Sequence, residues 1–137
     1  MNYVYDSSFI GALIITDEKS SMVENTHAAI DEDEQIYTSQ LLWYEITNVF
    51  KNLLRRKRYT YDEVEQFARL LHVIKLTTDF ETGPHYTQKL LRLCNDYNLS
   101  SYDAAYLELA ERKNAVLCTL DEGLLAAAEK HGVAIIK

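Results

Sequence analysis

The stretch "SSYDAAYLELAERKNAVLCTLDEGLLAAAEKHGVAIIK", Ser100 to Lys137, decides the fold class. It reads as a helix opened by Ser100, an apolar strand "AVLCTLD", a second helix "EGLLAAAEKH" closed by Gly132, and a last short strand "VAIIK". Two strands joined through a helix must run parallel, because the crossover returns the chain to the starting end of the sheet.

The same alternation continues upstream. "KLTTDF" reads as a strand, Gly83 and Pro84 punctuate, and "HYTQKLLRLCNDY" is a helix that Pro84 starts naturally. Before these lie the strand "QIYTS" and the strongest helical pattern in the chain, "QLLWYEITNVFKNLLRRKR", where Leu42, Ile46, Val49, Phe50 and Leu53 recur at helical spacing. "TYDEVEQFARLLHVI" is a further amphipathic helix opened by the capping signal Thr60 to Glu63. At the amino end, "NYVYD" reads as a strand and "SSFIGALIIT" as a helix; the polar helix "EKSSMVENTHAAI" ends before the acidic turn Asp31 to Glu34. The expected architecture is one α/β domain over residues 1–137, with a central, mainly parallel sheet of four to five strands flanked by helices on both faces. No internal repeat, low-complexity segment or long linker interrupts it.

Composition narrows the function classes. With 137 residues, 47% of them hydrophobic, and only four Gly and one Pro, the chain can bury a sizeable core. Its net charge of -7 argues against a general nucleic-acid coat protein, which draws on surplus Lys and Arg. That argument weakens where acids gather around a bound cation. Cys94 and Cys118 lie far apart in apolar runs without a C-x-x-C pair, as expected of buried free thiols in a reducing cytosol. Asp6 arrives before the short apolar run Phe9 to Ile15, so neither a signal peptide nor a membrane span is read there, and a cytoplasmic location is expected.

Four carboxylates occupy positions that call for explanation. Asp6 and Asp121 each end a strand and precede a helix, where ligands bind in parallel sheets. Asp103 shares a helix side with Tyr106, Leu107 and Ala110, an apolar face. Glu45 falls inside the apolar stripe of its helix, one turn from Leu41, Leu42 and Val49. A buried carboxylate without a partner neutralises or finds a cation, and no Lys or Arg lies in the segments around these acids. A hard divalent ion such as Mg²⁺ or Mn²⁺ suits an all-carboxylate set, whereas His27, His72, His85 and His131 show no zinc-ligand spacing. Such a site supports hydrolysis of a phosphodiester without a covalent intermediate. Simpler roles stay open: Asp6 and Asp121 as helix caps, Ser100 with Asp103 as a capping box, and Glu45 satisfied by a tyrosine hydroxyl.

These motifs together resemble the PIN domain family, and within it the toxin ribonucleases of VapBC-type toxin-antitoxin systems. The resemblance runs through "YVYDSSFIGAL", "LLWYEITNVFKNLLRRK" and "LSSYDAAYLELAERKNAVLCTLDEGLLAAAEKHGV". It implies that Asp6, Glu45, Asp103 and Asp121 form a metal-binding, catalytic quartet, with Ser8 and Thr119 as supporting hydroxyls, although both could instead cap helices. It further implies Mg²⁺- or Mn²⁺-dependent endoribonuclease activity on RNA, a homodimer, and inhibition by a small antitoxin protein. Two alternatives stand beside the toxin: a PIN nuclease of RNA processing, and a non-catalytic RNA- or protein-binding module. A phosphoaspartate receiver domain would need a second acid close to the first and a late lysine, which "YDSSF" and "CTLDEG" do not supply.

The run "KNLLRRKRY" concentrates Lys51, Arg55, Arg56, Lys57 and Arg58 at the end of the Glu45 helix. It reads either as compensation of the helix dipole or as an RNA-backbone contact. Trp43 and the tyrosines suit the core, an interface or base stacking.

Overall fold

The computed structural model describes residues 1–136. Its sheet has four strands, β1 (Asn2–Tyr5), β2 (Gln35–Ser39), β3 (Leu76–Asp79) and β4 (Ala115–Cys118), in the order β3-β2-β1-β4 and parallel throughout. The register sets Tyr3 beside Ile36 on one side and Val116 on the other, and brings Ser39 level with Asp79. The helices are α1 (Ser7–Ile14), α2 (Ser21–Ala28), α3 (Leu42–Arg55), α4 (Tyr61–Leu70), α5 (Pro84–Tyr97), α6 (Ser101–Arg112) and α7 (Glu122–His131), with a 3₁₀ turn at Thr16–Glu18.

Alternation along the strands divides the core between the two sheet faces. Tyr5 and Cys118 join Phe9, Ile10, Leu42, Ile46 and Phe67 beneath α1, α3 and α4. Their strand neighbours Val4 and Leu117 point the other way, onto Tyr106, Leu107 and Leu124 of α6 and α7. Both thiols are free, Cys118 buried and Cys94 only half-buried, so the expectation of two buried thiols holds for one of them.

Local signals set the helix ends. Thr60 and Glu63 form a reciprocal capping box at α4, Pro84 opens α5, and Gly132, at φ 86°, closes α7 in the left-handed conformation. The expected fifth strand shrinks to a single bridge between Leu117 and Ile135, supported by Leu117 N–H donating to Ala134 O at 2.8 Å. Lys137, the last residue of that expected strand, lies outside the described residues. No helix among the described residues is long and apolar enough to cross a membrane.

One buried ionic knot ties the edge strand to α6. Arg112 donates to both oxygens of Asp79 at 2.9 and 2.8 Å, and to both oxygens of Glu108, a residue only 3% exposed. The fork geometry of the guanidinium is what allows one side chain to serve two carboxylates.

Candidate active site

Because all strands are parallel, their carboxyl ends share one rim, and the residues that follow them are brought together there. Asp6 comes first after β1, is 4% exposed, and is the N-cap of α1. Its Oδ1 accepts from Phe9 N–H at 3.0 Å and from the Ser8 hydroxyl at 2.7 Å, while Oδ2 accepts from the Thr119 hydroxyl. Ser8 Oγ in turn accepts from Leu120 N–H at 2.9 Å, and Thr119 Oγ1 from Asp121 N–H at 3.0 Å. The two hydroxyls therefore lace the ends of β1 and β4 around one carboxylate. The caps of α1 and α7 are the aspartates themselves, so helix capping does not account for Ser8 and Thr119.

Asp121 caps α7 through Leu124 N–H at 2.8 Å and is exposed at the rim. Asp103 sits half-buried in the first turn of α6, its N–H donating to Ser100 Oγ at 3.1 Å. That is the Ser100 half of the expected capping box. Glu45, in the first turn of α3, is half-buried and accepts from the Tyr106 hydroxyl at 2.6 Å through Oε1. The expected alternative of a tyrosine partner is thus realised for one of its oxygens. In the sequence Tyr106 stands only as a neighbour of Asp103 on an apolar face; its i+3 spacing, which puts both on one side of the helix, is the signal that it can reach the rim.

The charges of these acids act on one another. Burial raises the pKa of Asp6, against which Thr119, Phe9 N–H and Ser8 lower it and Asp121 raises it. Burial also raises Glu45, opposed by the Tyr106 hydrogen bond and reinforced by Asp6 and Asp103. Asp103 is raised by burial, then by Asp121 and Asp6, with Ser100 opposing. None of the influences on these three acids is a Lys or Arg. The set therefore concentrates negative charge with no Lys or Arg among the described residues to offset it, and its hard oxygen donors match a divalent ion such as Mg²⁺ or Mn²⁺. The acids interact across the rim at the range of mutual repulsion; among the described residues no three His, Cys, Asp or Glu side chains converge closely enough to share an ion directly. The donor chemistry fits a divalent cation, with part of its shell left to water.

The basic run lies elsewhere. Arg55, Arg56, Lys57 and Arg58 are exposed at the carboxyl end of α3, whereas Glu45 is in its first turn, about 15 Å away along the axis. Arg58 is engaged with Asp17 at 2.8 Å. His27 and His131 are also occupied, bonded to the hydroxyls of Tyr5 and Tyr97 at 2.7 and 2.8 Å.

The fold and this rim of acids define a PIN domain, and residues 3–130 match the model of that family. The chain belongs to the PIN domain family. It is distantly related to VapC ribonucleases: it is 28% identical over 124 residues to Ribonuclease VapC3 of Pyrobaculum aerophilum, covering 90% of this chain and 92% of that one. The crystal structure of PAE2754 from Pyrobaculum aerophilum superposes with a TM-score of 0.68 at 24% identity, covering 99% of this chain and 92% of the other. A toxin-antitoxin complex from Klebsiella pneumoniae shares the fold at a TM-score of 0.58 and 16% identity, covering 87% of this chain and 86% of the other.

Proposed function

We propose that the chain is a single-domain, divalent-metal-dependent endoribonuclease, the toxin of a VapBC-type toxin-antitoxin system. The observation that carries the reading is that, on top of burial, Asp6 and Asp103 raise the pKa of Glu45, Asp6 that of Asp103, and Asp121 those of Asp6 and Asp103, at the carboxyl rim of a parallel sheet, and that no Lys or Arg is among these influences. Its relationship to a VapC ribonuclease supports the substrate class, and a toxin-antitoxin complex among its structural neighbours supports the partner.

Asp6 and Asp103 would hold the principal Mg²⁺ or Mn²⁺, with Glu45 and Asp121 completing its surroundings directly or through water. Such an ion, when bound, stabilises charge on the phosphoryl oxygens and makes water a better nucleophile. Ser8, Thr119 and Phe9 N–H lock the Asp6 carboxylate in one orientation, so little ordering remains to be done when RNA arrives. Glu45, raised by burial and tethered by Tyr106, would be the carboxylate to take the proton of the attacking water. Arg55, Arg56 and Lys57 would meet the RNA backbone beyond the cleaved bond, with Arg58 joining them if it leaves Asp17. The exposed Tyr44, Tyr61, Val73 and Phe80 supply apolar surface for a second copy and for the antitoxin.

The test is expression of wild type and of Asp6→Asn and Asp103→Asn in cells, with mapping of new RNA 5′ ends. Wild type is expected to arrest growth and create discrete ends, and both variants to do neither while remaining folded. The same purified wild type should lose cleavage in EDTA and regain it with Mg²⁺ or Mn²⁺. Full activity of either variant, or in EDTA, would sink the reading.

A further inference from the structure

Beside the acids, a cavity of 310 Å³ opens between the β2–α3 turn, the β3–α5 loop and the first turns of α5 and α6. Gln40, Asp79, Glu81, Tyr86, Tyr102 and Ala105 face it, and no Lys or Arg lines it among the described residues. It stands at the small end of the roughly 300–1,000 Å³ range of ligand pockets. Tyr102 is 53% exposed and directly precedes Asp103, so the cavity wall and the acidic rim are adjacent positions of one helix turn.

The lining chemistry selects among occupants. A phosphate or carboxylate would meet Asp79 and Glu81 in a lining without Lys or Arg, the Arg112 guanidinium being already taken up by Asp79 and Glu108. Asp79 is already paired with Arg112 and takes a backbone N–H from Glu81, but a carboxylate has about four acceptor positions, so it is not saturated, and the Glu81 carboxylate beside it is exposed. Burial, followed by the charges of Glu108 and Asp79, pushes the Tyr86 hydroxyl up to about 12, so it stays a neutral donor; it bonds to no described residue. Gln40 offers a donor and an acceptor that are likewise unused among the described residues. Tyr102 supplies an aromatic face at the mouth.

Resting on the nuclease reading, we propose that this cavity is a base-recognition subsite. It receives the unstacked nucleobase next to the scissile phosphate and favours bases with an exocyclic amine over uracil. Tyr102 stacks on the base, as aromatic side chains do in single-stranded RNA recognition. Asp79 and Glu81 accept from the amine, and Gln40 and Tyr86 read the remaining edge. Uracil offers only its N3–H, flanked by two carbonyl oxygens that would face the same carboxylates, and is disfavoured.

Nucleosides isolate this recognition from phosphate and metal. Adenosine, guanosine, cytidine and uridine are titrated in EDTA into the ¹⁵N-labelled full chain and followed by amide and side-chain shifts. The three amino-bearing nucleosides should perturb Gln40 and Tyr102 and bind several-fold more tightly than uridine. Tyr102→Ala should weaken them about tenfold, whereas Tyr102→Phe should retain them. Unchanged thermal melting of both variants shows that the fold survives, as expected for an exposed side chain. Equal or undetectable binding of all four nucleosides, or full binding by Tyr102→Ala, overturns the proposal. Wild type that discriminates in EDTA but never cleaves RNA with Mg²⁺ defeats the nuclease reading and leaves the subsite standing; cleavage without discrimination does the reverse.

Discussion

Thr119 shows how much can depend on one hydroxyl. It donates to Asp6 and accepts from Asp121 N–H, so Thr119→Val strands a buried carboxylate oxygen and a loop amide together. A loss of about 1–3 kcal/mol in urea unfolding is expected, with Thr119→Ser recovering most of it. Tyr106→Phe is subtler, because the ring stays and only the donor to Glu45 goes. That hydrogen bond lowers the Glu45 pKa against burial, so its removal raises the pKa further. If Glu45 works ionised, the acid limb of the cleavage pH profile should move to higher pH in Tyr106→Phe, and an unmoved limb would remove Glu45 from proton transfer. Neither effect was legible in the sequence. Burial against periodicity exposed Glu45, but the identity of its partner depends on how α3 and α6 pack across the sheet.

Among the elements, α6 does the most joining. Its first turn presents Asp103 to the rim, its middle fills the core with Tyr106 and Leu107, and its last turn anchors β3 through Arg112. Removing Arg112 takes the close partner from Glu108, 3% exposed, and leaves only Lys89 at 4.0 Å, so Arg112→Met should cost about 3 kcal/mol. Adding Glu108→Gln should recover part of that loss, as a double-mutant cycle would register. The element pattern of the second half was plain in the sequence, because α4 to α7 each carry an end signal: Thr60 and Glu63, Pro84, Ser100, Gly132. The exception, "VAIIK", is an apolar run at the sheet edge where one neighbour offers pairing, and among the described residues it forms a single bridge. The cavity beside Tyr102 was invisible for a different reason: four separate segments build it, and none carries a motif.

For the molecule as a whole, the acids tie stability to pH. The folded-state pKa values of Asp6, Glu45 and Asp103 lie above their ordinary values. In the window between the ordinary and raised values the native state holds more protons than the unfolded one, so their contribution to stability falls as pH rises through that window. Asp79 runs the opposite way: its pairing with Arg112 lowers its pKa, and that stabilisation is lost as pH falls through the depressed folded value. In EDTA, these three acids should therefore raise the melting temperature as pH is lowered through that window, opposed by His27, whose pKa burial lowers and whose protonation removes stability. Saturating Mg²⁺ should raise the melting temperature at the upper end of that range and flatten the slope. A melting temperature indifferent to both variables would show that the acids do not repel one another as placed. Charge reversal of Arg55 and Arg56 should weaken RNA binding and reduce its salt dependence without shifting the melting curve, since neither is buried.

The lacing of Asp6 to Thr119 also has a meaning in the order of synthesis. The first strand and first helix leave the ribosome early, yet the partner that orients Asp6 is made 113 residues later. Until β4 is translated and slots in beside β1, the nascent chain carries Asp6, Glu45 and Asp103 without the rim that assembles them. A ribosome stalled before Ala115 therefore releases a product with most of the acidic residues and no working centre. For an enzyme proposed to cut RNA, this delay would keep the growing chain harmless to the messenger that encodes it.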